Sequence, residues 1–371
     1  MEQLLDQLQS SFQQIVGFIY PNEAELHWGI LVVVYPYITG LVAGAFILAS
    51  LERVFNVKEI QPIYRLSLLT ALAFLIVAPM PLLAHLGHPE RSFEIFLTPH
   101  LKSAMAMFGF VYAWYLFVVL LLEIWLDYRA DLVKWAQKGK GLKKYVHYIL
   151  TLGSLDLSEK AIKFDRKTGF IITVIGIPSA FLLHGYVGFI FGSIKANPWW
   201  SSVLMPIVFL FSAIVSGLAM VMLIYGISSL WRWKKIDMKC MDKLSSYLLY
   251  LLIIDVSLET LDFIHRTYES VDSIHILGSM ITQKLFISLI IVQILIGTLS
   301  PLFLLIMTKV VKFPDELRRM IYFLAAFLVQ IGIFSTRWNV VVGGQLFSKS
   351  LRGLTHYKLE LFGIEGLLIS I

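Results

Sequence analysis

Repeated apolar runs dominate this sequence and decide what it can fold into. Each run is about 20 residues long, enough for a helix to cross about 30 Å of hydrocarbon, and a helix satisfies its own backbone hydrogen bonds where water is absent. Only 15% of the residues are charged, against roughly 25% in soluble domains. We therefore predict an all-α fold, a polytopic transmembrane helix bundle of about eight complete spans. The predicted spans are 28–51, 64–87, 103–126, 169–193, 203–230, 245–264, 285–308 and 317–336.

The segments on either side of the predicted bundle, 28–336, are short. In the N-terminal segment 1–27, apolar residues recur at helical spacing over 3–19, which predicts an amphipathic helix at the membrane surface; the alternative is an ordinary polar tail. Residues 337–371 are expected to form an outer loop. Their last part, 359–371, is apolar but too short to cross, and is either the start of a further helix or a surface segment.

Basic residues are concentrated on one side of the predicted membrane. Twenty-two Lys and Arg residues lie in the loops between spans on one side, and five lie in the loops between spans on the other. The positive-inside rule then puts the N-terminus outside and the long loop 127–168 in the cytoplasm. This topology signal accounts for the net charge of +6, so the charge does not indicate binding to nucleic acid. The loop 127–168 is either a solvated topology signal or a binding surface for anionic membrane lipid or a cytoplasmic partner.

Three acids lie inside the sixth predicted span. Asp255, Glu259 and Asp262 stand at positions i, i+4 and i+7, so they share one helical face. Ionisable groups in a bilayer are costly, and they usually face the bundle interior. We therefore expect these carboxyls to form a proton path, or to pair with Arg or His of a neighbouring helix.

Histidines cluster toward one side of the predicted membrane. Eight of the nine fall on the outer side, within or near the membrane edge. His184 lies in the apolar run FLLHGYVGF, and is either part of a proton-exchanging site or a hydrogen-bonded core histidine. The single cysteine, Cys240, excludes a disulfide within the chain and an iron–sulfur cluster held by four cysteines of this chain alone.

Four stretches, in the right order, resemble the NrfD/polysulfide reductase family of membrane subunits. PLLAHLGHPERSFEIFLTPHLKSAM at 81–105 is similar to the family's loop after the second span. GIPSAFLLHGYVGFIFGSIKANPWWSSVLMPIVFLFSAIVSG at 176–217 resembles its most characteristic stretch. YPYITGLVAGAF at 35–46 resembles its first span, and RWNVVVGGQLFSKSL at 337–351 its late outer loop. The resemblance leans to the ten-span long form, the DsrP or Hmc type, although the sequence ends at Ile371.

The resemblance implies a subunit of a quinone-linked respiratory oxidoreductase complex that is not catalytic alone and has no haem, flavin or iron–sulfur cluster of its own. It implies an exchangeable menaquinone or ubiquinone near the outer face. Electrons would pass to or from a docked ferredoxin-like iron–sulfur subunit, with further catalytic or cytochrome subunits, at the cytoplasmic membrane of a bacterium or archaeon. The residues implied for the quinone are His27, His85, Arg91 and His184. Those implied for proton conduction are Asp255 and Glu259, and the shared helical face adds Asp262.

Three other functions fit parts of the sequence. A b-type cytochrome needs histidines paired across helices, and His85 with His184 would supply one pair but not a second. An ion-coupled secondary transporter could use Asp255 and Glu259, although the two halves of the chain show no convincing repeat. A structural anchor for a partner would have no need of acids inside the membrane.

Overall fold

The computed structural model describes residues 17–23, 25–269, 273–363 and 366–370. The predicted amphipathic helix 3–19 lies almost entirely outside these residues. The bundle consists of eight long helices in the described part of the chain. They are α1 Ile30–Arg53, α2 Lys58–His85, α3 Ala104–Lys138, α4 Glu159–Gly192, α5 Met205–Trp231, α6 Met238–Glu269, α7 Phe286–Val310 and α8 Asp315–Gln345. Shorter helices cover Glu94–Leu97, Leu142–Leu150, Ile274–Gln283 and Leu367–Ser370.

Seven of the long helices, all except α6, are long and apolar enough to cross a membrane, considering only the described residues. The predicted all-α membrane bundle is therefore confirmed, whereas the predicted count of eight spans is not. The sixth predicted span, 245–264, lies inside α6, which has 32 residues. A helix of that length measures about 48 Å. The outside location of the N-terminus stays a prediction.

Most of the predicted cytoplasmic loop 127–168 is helical. α3 continues to Lys138, the short helix Leu142–Leu150 follows, and α4 begins before the predicted residue 169. The helices continue because they make tertiary contacts beyond the apolar runs. Arg129 of α3 donates to Asp165 of α4 at 2.7 Å, and both side chains are buried.

The predicted outer loop 337–371 begins only after α8 ends at Gln345. The linker between α4 and α5 accounts for the longer helix. The indole of Trp199 donates to the Asn339 carbonyl at 2.8 Å, and Trp200 donates to the next carbonyl at 2.6 Å. These bonds hold the last turns of α8 inside the protein, where the apolar pattern alone gives no reason for the helix to continue.

Glycines allow the closest helix contacts. α1 and α5 pack along each other in the middle of the bundle and meet at Gly44 and Gly217. α7 and α8 meet in the same way at Gly297 and Gly332. A Cβ on any of these residues would overlap the backbone of the facing helix, so a larger side chain would push the helices apart.

Gly185 and Gly188 of α4 provide a matched test of this packing. A Cβ on Gly188 would lie 2.7 Å from the Met205 carbonyl oxygen, whereas the nearest atom to a Cβ on Gly185 is the Pro206 oxygen at 3.7 Å. We expect Gly188→Ala to lower the Tm of the detergent-solubilised protein by several degrees, because the α5 backbone must move. Gly185→Ala should leave the Tm unchanged or raise it slightly, since alanine favours the helix. Thermal unfolding followed by circular dichroism measures both values, and equal shifts would contradict this packing.

The helices run alternately up and down, which gives the bundle two distinct ends. We call the end where α1 begins the N-terminal end; α4 and α8 also finish there. Contacts among these segments confirm the arrangement, since Gln345 accepts a hydrogen bond from the backbone of Trp28 at 3.1 Å. Gly17 likewise donates to the Arg352 carbonyl at 2.6 Å. The opposite end carries the short helix Leu142–Leu150 between α3 and α4.

Candidate functional site

A fully buried arginine stands at the centre of the candidate site. Arg337 of α8 is 0% exposed. Its Nη2 donates to Ser212 of α5 at 2.6 Å and to the ring of His184 of α4 at 3.2 Å. The guanidinium lies 4.1 Å from the ring centre of Phe209, while its Nε and Nη1 have no hydrogen-bond partner. A buried guanidinium needs compensating negative charge nearby, because its desolvation costs several kcal/mol.

The hydrogen bonds of His184 define its tautomer. An arginine can only donate, so His184 Nε2 accepts and the ring proton sits on Nδ1. Nδ1 lies 3.4 Å from the Thr39 hydroxyl, which donates to the Tyr35 carbonyl at 3.1 Å. His184 is thus a neutral imidazole with both nitrogens engaged. Neither nitrogen is available to a haem iron, so the geometry does not support a cytochrome pair with His85.

The three acids of α6 face the interior of the bundle. Asp255 and Asp262 are buried, and Glu259 is partly buried. Asp255 and Glu259 lie close enough to Arg337 to interact with its charge, and Asp255 Oδ1 has no hydrogen-bond partner. Asp262 instead forms an ion pair with Arg266 of its own helix. The expected shared face is therefore present. Two of its acids lie near Arg337 of α8, and the third pairs within α6.

Amide side chains extend this network from Glu259 toward the N-terminal end. Gln293 of α7 donates to Glu259 Oε2 at 3.1 Å, and Asn339 of α8 donates to Gln293 Oε1 at 2.7 Å. The Asn339 carbonyl in turn accepts the indole N–H of Trp199. Gln293 belongs to the π-helical part of α7, Phe286–Leu299, a rare winding that is frequent at functional sites.

The other three residues expected around the quinone lie at the surface of the N-terminal end. His27 is exposed just before α1, and His85 is half-buried as the last residue of α2. Arg91 is exposed and donates to Glu94 at 2.9 Å. The structure thus separates this surface group from a buried group formed by His184 and the acids of α6. Among the described residues, no group of three or more His, Cys, Asp or Glu side chains could hold a metal ion.

A cleft of about 410 Å³ opens between α1, α7 and α8. Its lining is mainly apolar and includes Tyr37, Phe334 and Trp338. The Tyr37 hydroxyl donates to Gln330 at 2.7 Å. The volume falls within the roughly 300–1,000 Å³ typical of small-molecule sites. It is therefore a second place where an aromatic ring could enter the bundle.

Arg337, Gln293 and Asn339 were not expected in the site from the sequence. Arg337 and Asn339 follow the last apolar run and so fell in the expected outer loop. The sequence does contain a signal for a longer helix, because no proline interrupts it between 315 and 342. Gln293 is the lone amide in the apolar run FISLIIVQILIGTL.

An arginine, a histidine and carboxyls close together inside the bundle of a polytopic membrane protein mark a candidate functional site, because ionisable groups are rare at this depth. The chain belongs to the family described as Polysulphide reductase, NrfD, which it matches over residues 21–349. The resemblance of the four sequence stretches is thereby confirmed.

Several relatives align over large parts of the chain. A selenate reductase subunit of Mesobacillus selenatarsenatis is 32% identical over 322 residues, covering 85% of this chain and 73% of that protein. The Hdr-like menaquinol oxidoreductase integral membrane subunit of Archaeoglobus fulgidus is 23% identical over 351 residues, 92% of this chain and 77% of that protein. Protein NrfD of Escherichia coli is 24% identical over 205 residues, 54% of this chain and 60% of that protein. These similarities support a membrane subunit of an oxidoreductase.

Proposed function

We propose that this chain is the quinone-reactive membrane subunit of a respiratory oxidoreductase complex. The observation that carries the proposal is the buried cluster around Arg337. Arg337 bonds to His184 and lies within range of the charges of Asp255 and Glu259, and amide hydrogen bonds lead from Glu259 toward the N-terminal end. The similarity to a menaquinol oxidoreductase subunit supports a quinol as the reacting molecule.

The quinone ring is proposed to bind at the N-terminal end, near the surface group. His27, His85 and Arg91 offer N–H donors to quinone oxygens there. A bound quinol supplies the electrons and the protons. His27 and His85 are the groups proposed to accept the protons, since an imidazole nitrogen is a common general base. His184, whose ring nitrogens both have partners, orients Arg337 beneath this surface and acts as a positioning residue.

Protons are proposed to move along the face of α6 formed by Asp255, Glu259 and Asp262. Glu259 is held in place by Gln293, and Asp255 Oδ1 offers a carboxylate oxygen without a hydrogen-bond partner. Arg337 makes it possible for these groups to be ionised inside the bundle, since its charge offsets theirs.

Electrons are proposed to pass to a ferredoxin-like iron–sulfur subunit docked at the N-terminal end, which faces the outside of the cytoplasmic membrane. A further catalytic or cytochrome subunit completes the complex. The reductase and oxidoreductase subunits among the relatives support such an assembly. Purification from the native membrane in mild detergent should therefore yield a stoichiometric partner with several four-cysteine ferredoxin motifs.

Photolabelling of that purified complex with an azido-quinone tests the function and the place of binding together. We expect labelled peptides from the segment before α1 and from residues 81–105, and we expect excess unlabelled menaquinone analogue to suppress the label. Labels on Tyr37, Phe334 or Trp338 would instead move the quinone to the 410 Å³ cleft. A label that does not compete would contradict quinone binding.

A further inference from the structure

A second polar site lies at the opposite end of the bundle. A cleft of about 650 Å³ opens there, and its lining includes Arg53, Tyr64, Arg65, Asp127 and Arg166. Arg65 pairs with Asp127 at 2.8 Å, and Arg53 lies 3.4 Å from the same carboxylate. The lining is charged and open, so water can enter the cleft.

Behind the cleft lies a carboxyl group with no contact to solvent. Glu123 of α3 is 0% exposed. Its Oε1 accepts the Thr173 hydroxyl at 2.8 Å and the Tyr64 hydroxyl at 3.4 Å, whereas its Oε2 has no hydrogen-bond partner. Tyr64 also lines the cleft, where Arg53 donates to its oxygen. A single hydroxyl therefore connects the cleft to the buried carboxyl.

The hydrogen bonds of Glu123 suit both of its protonation states. The Thr173 hydroxyl lies 2.8 Å from Glu123 and 2.9 Å from the Gly169 carbonyl, but its one proton can serve only one of them. When Glu123 is ionised, Thr173 donates to it. When Glu123 is protonated, its own O–H donates to Thr173, and Thr173 donates to Gly169. No heavy atom has to move between the two states.

Glu123 is not the simple partner of a buried salt bridge. The groups whose charges act on it come from three helices and are Arg53 of α1, Tyr64 of α2, and Asp127 and Tyr115 of α3. α4 contributes the uncharged Thr173. Arg53 itself contacts Tyr64 and Asp127. The carboxyl is thus free to change its charge without breaking an ion pair of its own.

An apolar layer separates this carboxyl from the network at the N-terminal end. Thr173 and His184 share one face of α4 and are 11 positions apart, which corresponds to about 16 Å of helix. Between them, Gly176 packs against Phe46 and Val119, and all three are buried. Apolar contacts between α1, α3 and α4 thus lie between Glu123 and His184 along this face of α4.

We propose that Glu123 is a proton-exchange site that is loaded from the aqueous phase at the opposite end through the hydroxyl of Tyr64. A hydronium ion in the cleft gives a proton to the Tyr64 oxygen as the Tyr64 hydroxyl releases its own proton to Oε1 of the ionised Glu123. The hydronium becomes water and the carboxylate becomes neutral, so atoms and charge balance. This proton-exchange site is separate from the proposed quinone reaction and does not depend on that reaction, because protons reach Glu123 from the other end of the bundle.

Infrared spectroscopy of the purified protein in liposomes, with no quinone present, tests this site. A protonated carboxyl has its own carbonyl band, which shifts when its proton is exchanged for deuterium. We expect a band that grows as the pH is lowered and that is lost in Glu123→Gln. The matched control is Asp131→Asn, because Asp131 pairs at 2.8 Å with Arg65, which lines the cleft. This control should keep the band.

Tyr64→Phe keeps the carboxyl and removes only the connecting hydroxyl, so it tests the route even if Glu123→Gln does not fold. We expect its band to remain and its deuterium exchange to slow by about 100-fold, the order expected when one positioned proton-transfer group is lost. A wild-type protein without a titrating carboxyl band, or unchanged exchange in Tyr64→Phe, would overturn the proposal. Either result would leave the quinone proposal standing, because no quinone enters the measurement.

Discussion

Replacing Arg337 with methionine should destabilise the protein by about 3–5 kcal/mol, the usual result of removing one partner from a buried charge network. The guanidinium is 0% exposed and interacts with the charges of Asp255 and Glu259. Methionine would leave these carboxyls without the cation that offsets them. It would also leave His184 and Ser212 without a donor.

The single cysteine makes this loss of stability measurable in detergent. Cys240 is buried, so a thiol-reactive dye reports unfolding when the protein is heated. Arg318→Met is the matched control, because the Arg318 side chain is 26% exposed and pairs with Asp242 and Asp315. We expect it to cost no more than about 1 kcal/mol. Equal losses in the two variants would contradict a special role for the buried arginine.

A double variant separates charge from packing. If Arg337 mainly offsets negative charge, then Arg337→Met combined with Asp255→Asn should be more stable than Arg337→Met alone, because one uncompensated carboxylate is removed. If the arginine mainly fills space and donates to Ser212, the losses of stability caused by the two single substitutions should add in the double variant. The unfolding assay with the Cys240 thiol gives both results.

The length of the apolar runs made the bundle predictable, but it did not define where each helix begins and ends. Every span needs about 20 apolar residues whatever its neighbours are. Each predicted span therefore overlaps one of the long helices. The ends depend on contacts between distant residues. The Arg129–Asp165 pair joins α3 to α4, and the indole of Trp199 bonds the last turns of α8. Neither contact has a local sequence pattern.

The same distinction applies to the site. The shared face of Asp255 and Glu259 follows from their spacing along one helix, so it could be predicted. The meeting of His184 with Arg337 could not, because 153 residues separate them and their contact depends on how α4 and α8 pack. Glu123 is a further example, since the residues that bond to it, Thr173 and Tyr64, come from separate helices. Sequence patterns give the face of a helix but not the helix that it meets.

Glu259→Gln should slow quinol oxidation by the intact complex by about 100-fold, the order of a lost proton-transfer group, without changing the affinity for quinone. Glutamine keeps the size of the side chain. It also keeps an oxygen that can accept the hydrogen bond from Gln293, whose Nε2 lies 3.1 Å from Glu259 Oε2 in the wild-type protein. What it loses is the ability to take up and release a proton. The prediction therefore separates proton conduction from the structural role of the side chain.

The control lies on the same helix. Glu269→Gln makes the identical change at an exposed side chain, which sits 3.4 Å from His265, and should leave turnover unchanged. Turnover with a menaquinol analogue and quenching of tryptophan fluorescence by the quinone give the rate and the affinity. Unchanged turnover in Glu259→Gln would contradict the proton path. A weaker affinity with an unchanged maximal rate would make Glu259 a binding group instead.

If proton transfer has become the slow step, Glu259→Gln should also show a larger solvent deuterium isotope effect than the wild-type protein, which a purely structural defect would not produce.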